Sequence, residues 1–188
     1  MTAIIDSLRS DHSRLTKLLD ALERQIGAFE EGGLLDFQIV DGVLHYCRSY
    51  PDHHHHPLED LIFQTLQRRN AKLAAEMGDL GREHAQLAAL TAAFGVSLEA
   101  VELDVPMKRQ ELVAAAHALI AGHRRHIMME EKYFFPAAER CLTPGDWRAI
   151  AQRLPAAADP LFDRREDQRY AALFADILKW DSQLPAGA

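Results

Sequence analysis

An internal repeat in the sequence restricts this chain to few folds. Residues 11–15 (DHSRL) resemble residues 83–87 (EHAQL), which lie 72 positions later. Residues 55–63 (HHPLEDLIF) resemble residues 126–134 (HIMMEEKYF), which lie 71 positions later. Two helical hairpins of similar sequence pack naturally about a pseudo-twofold axis. The repeat therefore predicts an antiparallel up-down four-helix bundle.

The hydrophobic pattern assigns one long helix to each arm of the two hairpins. Apolar residues recur every three or four positions over long stretches, and the alternation typical of strands is weak. The expected helices run from Ile5 to a stop at Gly32-Gly33, from about Asp36 through Leu66, from about Asn70 to the region of Leu103, and from Pro106 towards Cys141. The predicted fold class is therefore all-α.

The last part of the chain is expected to add one or two helices to the bundle. Thr143 is the expected N-cap of a short helix over residues 147–154, with Asp146 as the acidic third residue. Residues 155–160 begin and end with proline and indicate a linker, and Arg164–Trp180 is amphipathic. We therefore divide the chain into a bundle over residues 1–142 and a helical extension over residues 143–188 that packs on it.

Two prolines interrupt the second predicted helix close to its most polar residues. Pro51 and Pro57 each remove a backbone donor and crowd the preceding turn. One outcome is a kink or a π-bulge that re-aims His55 and Glu59, and the other is a helix that breaks in two. The sequence leaves both outcomes open.

The pattern His-x-x-x-Glu occurs twice in the repeat and has metal-ligand character. It spans residues 55–59 and residues 126–130, and a spacing of four places both side chains on one helix face. His12 and His84 add one imidazole from each of the other two helices. The candidate metal ligands are His12, His55, Glu59, His84, His126 and Glu130.

These six side chains are expected to be buried and to hold two cations. They share the helical stripes of the core leucines, and burying imidazoles and carboxylates is costly unless something pairs with them. Imidazole suits iron, zinc and copper, while carboxylates bridge cations and offset their charge. Each cation would then have two nitrogen and two oxygen ligands, and an oxo or hydroxo bridge would leave an open position on each.

The ligand pattern resembles that of the hemerythrin-like, or HHE cation-binding, family. A histidine on the first and third helices and His-x-x-x-Glu on the second and fourth match the family over roughly residues 1–142. The resemblance implies a pair of iron ions with an oxo or hydroxo bridge, although the ligand types leave zinc and manganese open. It assigns His12 and His55 to one metal, His84 and His126 to the other, and Glu59 and Glu130 to both.

One position separates this chain from the oxygen carriers of that family. The carriers have a fifth histidine four residues after the histidine of the third helix, and here that position is Ala88. Both metals would therefore be open, as in the bacterial branch implicated in oxidative and nitrosative stress and in repair of iron centres, which the chain resembles more. The implied function is to bind or reduce O2, NO or H2O2, or to handle iron under such stress.

Two other functions stay open at the level of sequence. The metal site would act as an oxygen- or iron-sensing module without turnover, or the bundle would hold zinc or manganese with no redox role. Enzymatic turnover is therefore undecided. The expected partner is a small diatomic molecule or a peroxide, and the sequence does not decide between a redox partner and a homodimer as a further one.

The run of four histidines at residues 53–56 supplies one ligand in this interpretation. His55 is favoured because its repeat partner His126 is likewise followed by adjacent acidic residues at four and five positions. A shifted register, in which His56 pairs with Asp60, is the alternative. In the favoured register the other three histidines of the run are expected to point into solvent.

His123 is a further candidate for binding the cofactor. It lies within about 60° of His126 on a helical wheel, so it is either a fifth nitrogen ligand or a hydrogen-bonding group at the rim of the site. The rim role is favoured. His45 and His117 are expected to be structural or surface residues. Tyr46, Tyr50 and Tyr133 are expected to pack in the core, with hydrogen bonding near the site as the alternative.

The bulk composition excludes several classes of partner. A formal net charge of −7 and a pI of about 5.8 argue against nucleic acid and against an anionic membrane surface, which both favour basic proteins. The sequence has no run of about 18 apolar residues and no signal-like N-terminus. Cys47 and Cys141 form no Cys-x-x-Cys pair and predict no disulfide framework. We therefore expect a cytoplasmic protein.

Overall fold

The regular secondary structure of the described residues is entirely helical. The computed structural model describes residues 3–51, 55–103, 105–153 and 160–182. Its α-helices are α1 (Ala3–Glu30), α2 (Phe37–Tyr50), α3 (His56–Arg69), α4 (Ala71–Glu76), α5 (Leu80–Glu102), α6 (Arg109–Met129), α7 (Phe135–Cys141), α8 (Pro144–Arg153) and α9 (Pro160–Ser182). A π-helical segment, Glu130–Phe134, joins α6 to α7. The all-α prediction is confirmed. None of the described helices combines the length and apolarity needed to span a membrane.

Four helices close a ring around the core. α1 packs against α2 and α6, and α5 packs against the same two neighbours. α3 follows α2 in the second arm and contacts α5 and α7. The packing of the four arms therefore continues beyond the point where α2 ends and α3 begins. Long arms joined by short connections in this order form the predicted up-down four-helix bundle.

Two apolar clusters fill the bundle, and a polar layer separates them. One cluster contains Leu15, Leu19, Leu22, Phe94, Leu112 and Leu119 among others. The other contains Ile5, Leu8, Ile62, Leu66, Phe134 and Phe135 among others. His12 follows Leu8 of one cluster and precedes Leu15 of the other by one helical turn each, so the apolar packing fixes its height in the bundle.

The second arm of the bundle changes its helical geometry at the prolines. α2 ends before Pro51, and α3 has Pro57 in its first turn. Pro51 and His55, on either side of the junction, have π-helical hydrogen bonding. The described residues thus show a feature of each predicted outcome, because α2 and α3 are separate α-helices and Pro51 and His55 are π-helical. The expectations for His53 and His54 fall on residues outside the described ranges.

The third and fourth arms differ from the prediction at their starts. The third was expected to be one helix from Asn70, but α4 and α5 are separated at Gly78, which has φ +84°. Glycine adopts this left-handed backbone without the steric cost that other residues meet. Asp79 then caps α5 through its side chain. The fourth arm begins at Arg109 rather than at Pro106.

The C-terminal helices pack on the bundle. The predicted cap of α8 is present, because the Thr143 N–H donates to Asp146 Oδ2 (2.8 Å) and the Asp146 N–H donates to Thr143 Oγ1 (3.3 Å). α9 contacts α1 and α2 and buries Tyr170 and Ile177. Of the expected linker at residues 155–160, all but the last residue lies outside the described ranges.

Candidate metal centre

The repeated residues converge on the polar layer in the middle of the bundle. Two groups of side chains each place four ligand atoms within 4.8 Å of one another. Site A consists of His12, His55, Glu59 and Glu130, and site B consists of His56, Glu59, His84 and His126. These seven side chains are at most 8% exposed. The structure therefore brings all six candidate ligands together and adds His56 to them.

The atoms of site A are spaced like neighbouring ligands of a six-coordinate cation. His12 Nε2 lies 3.0 Å from His55 Nε2 and 3.1 Å from Glu130 Oε2. His55 Nε2 lies 3.0 Å from Glu59 Oε1. Two atoms that are each about 2.1 Å from one ion lie roughly 3.0 Å apart at a right angle, and roughly 3.4 Å apart at the tetrahedral angle. These three spacings fit the right angle, while His12 Nε2 and Glu59 Oε1 lie 4.0 Å apart, at a wider angle.

Glu59 and Glu130 each offer one carboxylate oxygen to each site. Glu59 Oε1 lies 3.0 Å from the His55 imidazole of site A, and its Oε2 lies 3.4 Å from the His84 imidazole of site B. Glu130 Oε2 lies 3.1 Å from His12 Nε2 of site A, and Glu130 Oε1 lies 3.2 Å from His126 Nε2 of site B. This arrangement suits two carboxylates that bridge a pair of cations.

The buried polar atoms of the layer lack the hydrogen bonds that burial requires. Both carboxylate oxygens of Glu59 and of Glu130, and Nε2 of His84 and of His126, have no hydrogen-bond partner. Buried polar groups are nearly always paired, and an unpaired buried carboxylate is costly. Two cations would pair all of these atoms at once. The residues therefore fit a dinuclear metal centre.

Large pKa shifts reflect the crowding of charge in this layer. Burial raises the pKa of Glu130 well above its usual range, and the charge of Glu59 raises it further. Burial alone would lower the pKa of His55, but the charge of Glu59 and the hydrogen bond with Asp11 raise it to about 9. Two buried carboxylates that repel each other favour a bound cation between them.

His56 lies in site B, and the expectation that it points into solvent is wrong. It is 8% exposed, and its ring stacks on that of His84 with centroids 3.8 Å apart. Burial and the neighbouring His84 lower its pKa to about 2, so the imidazole is neutral, as a metal ligand must be. The expectation counted angles on an ideal α-helix, whereas His56 follows a junction where Pro51 and His55 are π-helical. Two adjacent cations offer a target wide enough for two successive residues, His55 and His56.

The two sites differ in their number of histidines. Site A has two imidazoles and site B has three, and the two glutamates serve both. Ala88, at the position of the fifth histidine of the oxygen carriers, is exposed. His56 offers a third imidazole to site B from a different helix. The expectation of two equally open metals is therefore replaced by an unequal pair.

Four further carboxylates surround the histidines, and their contacts with the imidazoles were not expected from the sequence. Each lies next to the Nδ1 atom of one histidine: His12–Glu131 (2.8 Å), His55–Asp11 (3.2 Å), His126–Glu83 (3.1 Å) and His84–Asp60 (3.6 Å, an ion-pair distance). Such partners fix the tautomer that leaves Nε2 free to bind a metal. The signal was present in the repeat. In both copies an acid precedes the first histidine and another follows the glutamate.

A small cavity adjoins the metal layer. Its volume is about 20 Å³, and its walls include histidines of both sites but neither glutamate. A cavity of this size holds about one water-sized molecule. Tyr46, Tyr50 and His123 form part of the remaining wall.

His123 lies beside the ligand groups. It is 2% exposed and belongs to neither site A nor site B. Burial lowers its pKa to about 4, with the nearby His126 adding to the shift. Its position is the rim position favoured from the sequence, and its role in binding stays a prediction.

The π-helical segment changes which aromatic residue of the fourth arm is buried. Tyr133 was expected in the core and is 48% exposed, whereas Phe134 is fully buried. A π-helical turn contains one more residue than an α-helical turn, so the buried face moves along by one position. His45 and His117 are exposed, in line with a surface role.

Comparison with known proteins gives one match. The family model described as hemerythrin HHE cation binding domain matches residues 3–138, which include all seven residues of the two sites. No curated protein and no solved structure matches the chain significantly. α8 and α9 lie beyond the matched residues.

Proposed function

Since the chain belongs to the hemerythrin family of HHE cation-binding domains, we propose that it is a non-haem di-iron protein that binds or reduces O2, NO or hydrogen peroxide. One observation carries the proposal. Two buried ligand sites share Glu59 and Glu130, whose four oxygens have no other partner, and a cavity the size of one small molecule adjoins them.

The donor atoms favour iron over a structural zinc ion. Structural zinc sites usually contain cysteine and are closed by four ligands, whereas the ligands of site A are two imidazoles and two carboxylates. Two imidazoles and a carboxylate with positions left open are typical of non-haem Fe(II). Site A has two imidazoles and two carboxylates, and each carboxylate also offers an oxygen to site B.

The unequal sites indicate where a small molecule binds. Site B has three imidazoles and two shared carboxylates, and site A has one imidazole fewer. We therefore expect the incoming molecule at site A. Two ferrous ions held by these residues would supply the two electrons that reduce hydrogen peroxide, with two protons, to two molecules of water.

The protein around the sites keeps bulk water away from them. Phe134 and Phe135 are fully buried, and the ring of Phe135 stacks on His12 with centroids 5.3 Å apart. Burial in a low-dielectric surrounding strengthens the hold of Glu59 and Glu130 on cations, because water does not screen their charge. The side of the layer that contains Phe134 and Phe135 therefore supports metal binding. We expect the small molecule to bind on the side that contains the cavity.

The proposal includes a biological setting and a partner. Turnover of peroxide or O2 consumes electrons, so it requires a redox partner that returns them to the centre. A role in oxidative or nitrosative stress, including iron handling, suits a protein that holds iron next to a pocket for such molecules. A homodimer is compatible with this role.

The proposal is tested by metal analysis and rapid mixing. Protein purified without added metal is expected to contain two iron ions per chain. After anaerobic reduction, the iron-loaded protein is expected to change its visible absorption within seconds of mixing with hydrogen peroxide, O2 or NO. Two zinc ions per chain, or iron with no absorption change for any of the three molecules, would overturn the proposal.

Turnover and simple binding are distinguished by the number of equivalents of hydrogen peroxide that each chain consumes. In the presence of excess ascorbate, an enzyme consumes many equivalents of peroxide per chain. A sensing module, which the sequence left open, consumes about one and then keeps a stable spectrum.

A further inference from the structure

Two buried polar atoms in the wall of the small cavity have no partner and belong to residues outside both ligand groups. Tyr46 Oη and His123 Nε2 each lack a hydrogen bond, and both residues are 2% exposed. Both residues line the same 20 Å³ cavity, together with His12 and His55 of site A and His56 and His126 of site B. Neither side chain is a member of a ligand group.

The unpaired atoms require a small hydrogen-bonding molecule in the cavity. A buried hydroxyl or imidazole nitrogen without a partner is costly, so such groups are nearly always satisfied by protein or by an enclosed molecule. Burial raises the pKa of Tyr46, so its hydroxyl stays protonated and can donate. The neutral His123 ring has one donor and one acceptor nitrogen.

The surrounding contacts hold the tyrosine in place. The ring of Tyr46 stacks on that of Tyr50 with centroids 5.0 Å apart, and it meets the ring of Tyr170 from α9 edge-on at 5.9 Å. The Tyr50 hydroxyl donates to Asp11 Oδ1 (3.1 Å), and the other Asp11 oxygen lies 3.2 Å from His55 Nδ1. The wall of the cavity is therefore tied to a site A ligand through fixed side chains.

We propose that Tyr46 and His123 form a hydrogen-bonding subsite that selects hydrogen peroxide over nitric oxide at site A. The inference rests on the proposed function, whose small-molecule ligand it narrows to one class. Hydrogen peroxide has two O–H donors and several lone pairs, so it can satisfy a tyrosine hydroxyl and an imidazole nitrogen together. Nitric oxide has no donor and accepts weakly, so it gains little from either group.

The test uses the iron-loaded full chain and volume-conserving substitutions. Tyr46→Phe removes only the hydroxyl, and His123→Leu replaces the imidazole with an apolar side chain of similar bulk. The matched controls are Tyr133→Phe, at a half-exposed tyrosine, and His117→Leu, at an exposed histidine of the same helix, α6. Three quantities are measured: the dissociation constant of azide, from visible absorption, and the second-order rate constants for hydrogen peroxide and for nitric oxide.

The expected result is a selective loss. Tyr46→Phe and His123→Leu each weaken azide binding and slow the peroxide reaction about tenfold, as expected for one lost hydrogen bond in a buried site. The nitric oxide rate constant stays within about twofold of that of the unchanged protein. Both controls leave all three quantities unchanged, and all variants keep two iron ions per chain.

Two results would overturn the inference and leave the proposed function standing. One is an unchanged azide constant and peroxide rate in both variants, which would mean that the polar atoms hold only a structural water. The other is an equal loss for peroxide and nitric oxide, or a loss of iron, which would mean that the residues act through packing. Failure of the unchanged protein to respond to any of the molecules would instead count against the proposed function.

Discussion

Glu59→Gln is expected to lower the metal content from two ions per chain to fewer than one. Glu59 is fully buried and offers one oxygen to each site, at 3.0 Å from His55 and 3.4 Å from His84. Glutamine keeps the shape of the side chain, but its amide nitrogen is not a cation ligand and the negative charge is lost. Loss of groups outside the ligand set already weakens metal binding about 10–100-fold, so loss of a shared ligand should cost more at both sites.

The measurement is metal analysis after dialysis, together with the melting temperature with and without iron. The metal-dependent rise in melting temperature should disappear in Glu59→Gln, since a ligand stabilises the folded state only when it binds. Glu76→Gln, at an exposed glutamate of α4, is the control and should keep both ions and the full rise. Two tightly bound ions in Glu59→Gln would refute the bridging role.

His56→Ala is expected to lose one of the two ions and to keep the other. His56 belongs to site B and stacks on His84, so its removal takes one of three imidazoles from that site and leaves site A complete. The metal content should fall from two ions to about one. His45→Ala, at an exposed histidine of α2, should retain both.

His56→Ala also distinguishes the position of His56 in the structure from the position that the sequence predicted. A solvated His56, as the helical wheel suggested, would leave the metal content at two after substitution by alanine. That outcome would also remove the inequality between site A and site B. His123→Leu provides a second comparison, because a residue at the rim should not be needed for either ion.

The convergence of the six candidate ligands could be predicted because it depends on local geometry and on the repeat. A spacing of four residues places His126 and Glu130 on one helix face whatever the packing of that helix. The repeat then supplies a second pair in an equivalent position. The core leucines before and after His12 fix its height, and hydrophobic periodicity is the strongest signal in a sequence.

The positions of His56 and Tyr133 could not be predicted from an α-helical wheel. His56 follows a junction where Pro51 and His55 are π-helical, and Tyr133 lies inside a π-helical segment. In both places the angle between successive side chains departs from the α-helical value. The sequence indicated a distortion at the prolines, but nothing in residues 130–134 marks one.

Other differences between the prediction and the structure were indicated in the sequence, but a stronger pattern favoured a different prediction or the indication was not enough by itself. Gly78 and the capping residue Asp79 mark a helix boundary, yet the apolar periodicity continues across them and favoured one long helix. The acids beside the histidines, such as Asp11 and Glu83, were visible as repeated residues. Their role depends on contacts between different helices, which a single helix pattern does not contain.

Anomalous diffraction at the iron absorption edge, from crystals of the iron-loaded protein, tests the central claim most directly. The claim predicts two peaks of similar height about 3–4 Å apart, with both oxygens of Glu59 and of Glu130 shared between them. The histidines of site A should surround one peak and those of site B the other. A single peak, or peaks away from these two glutamates, would contradict the account.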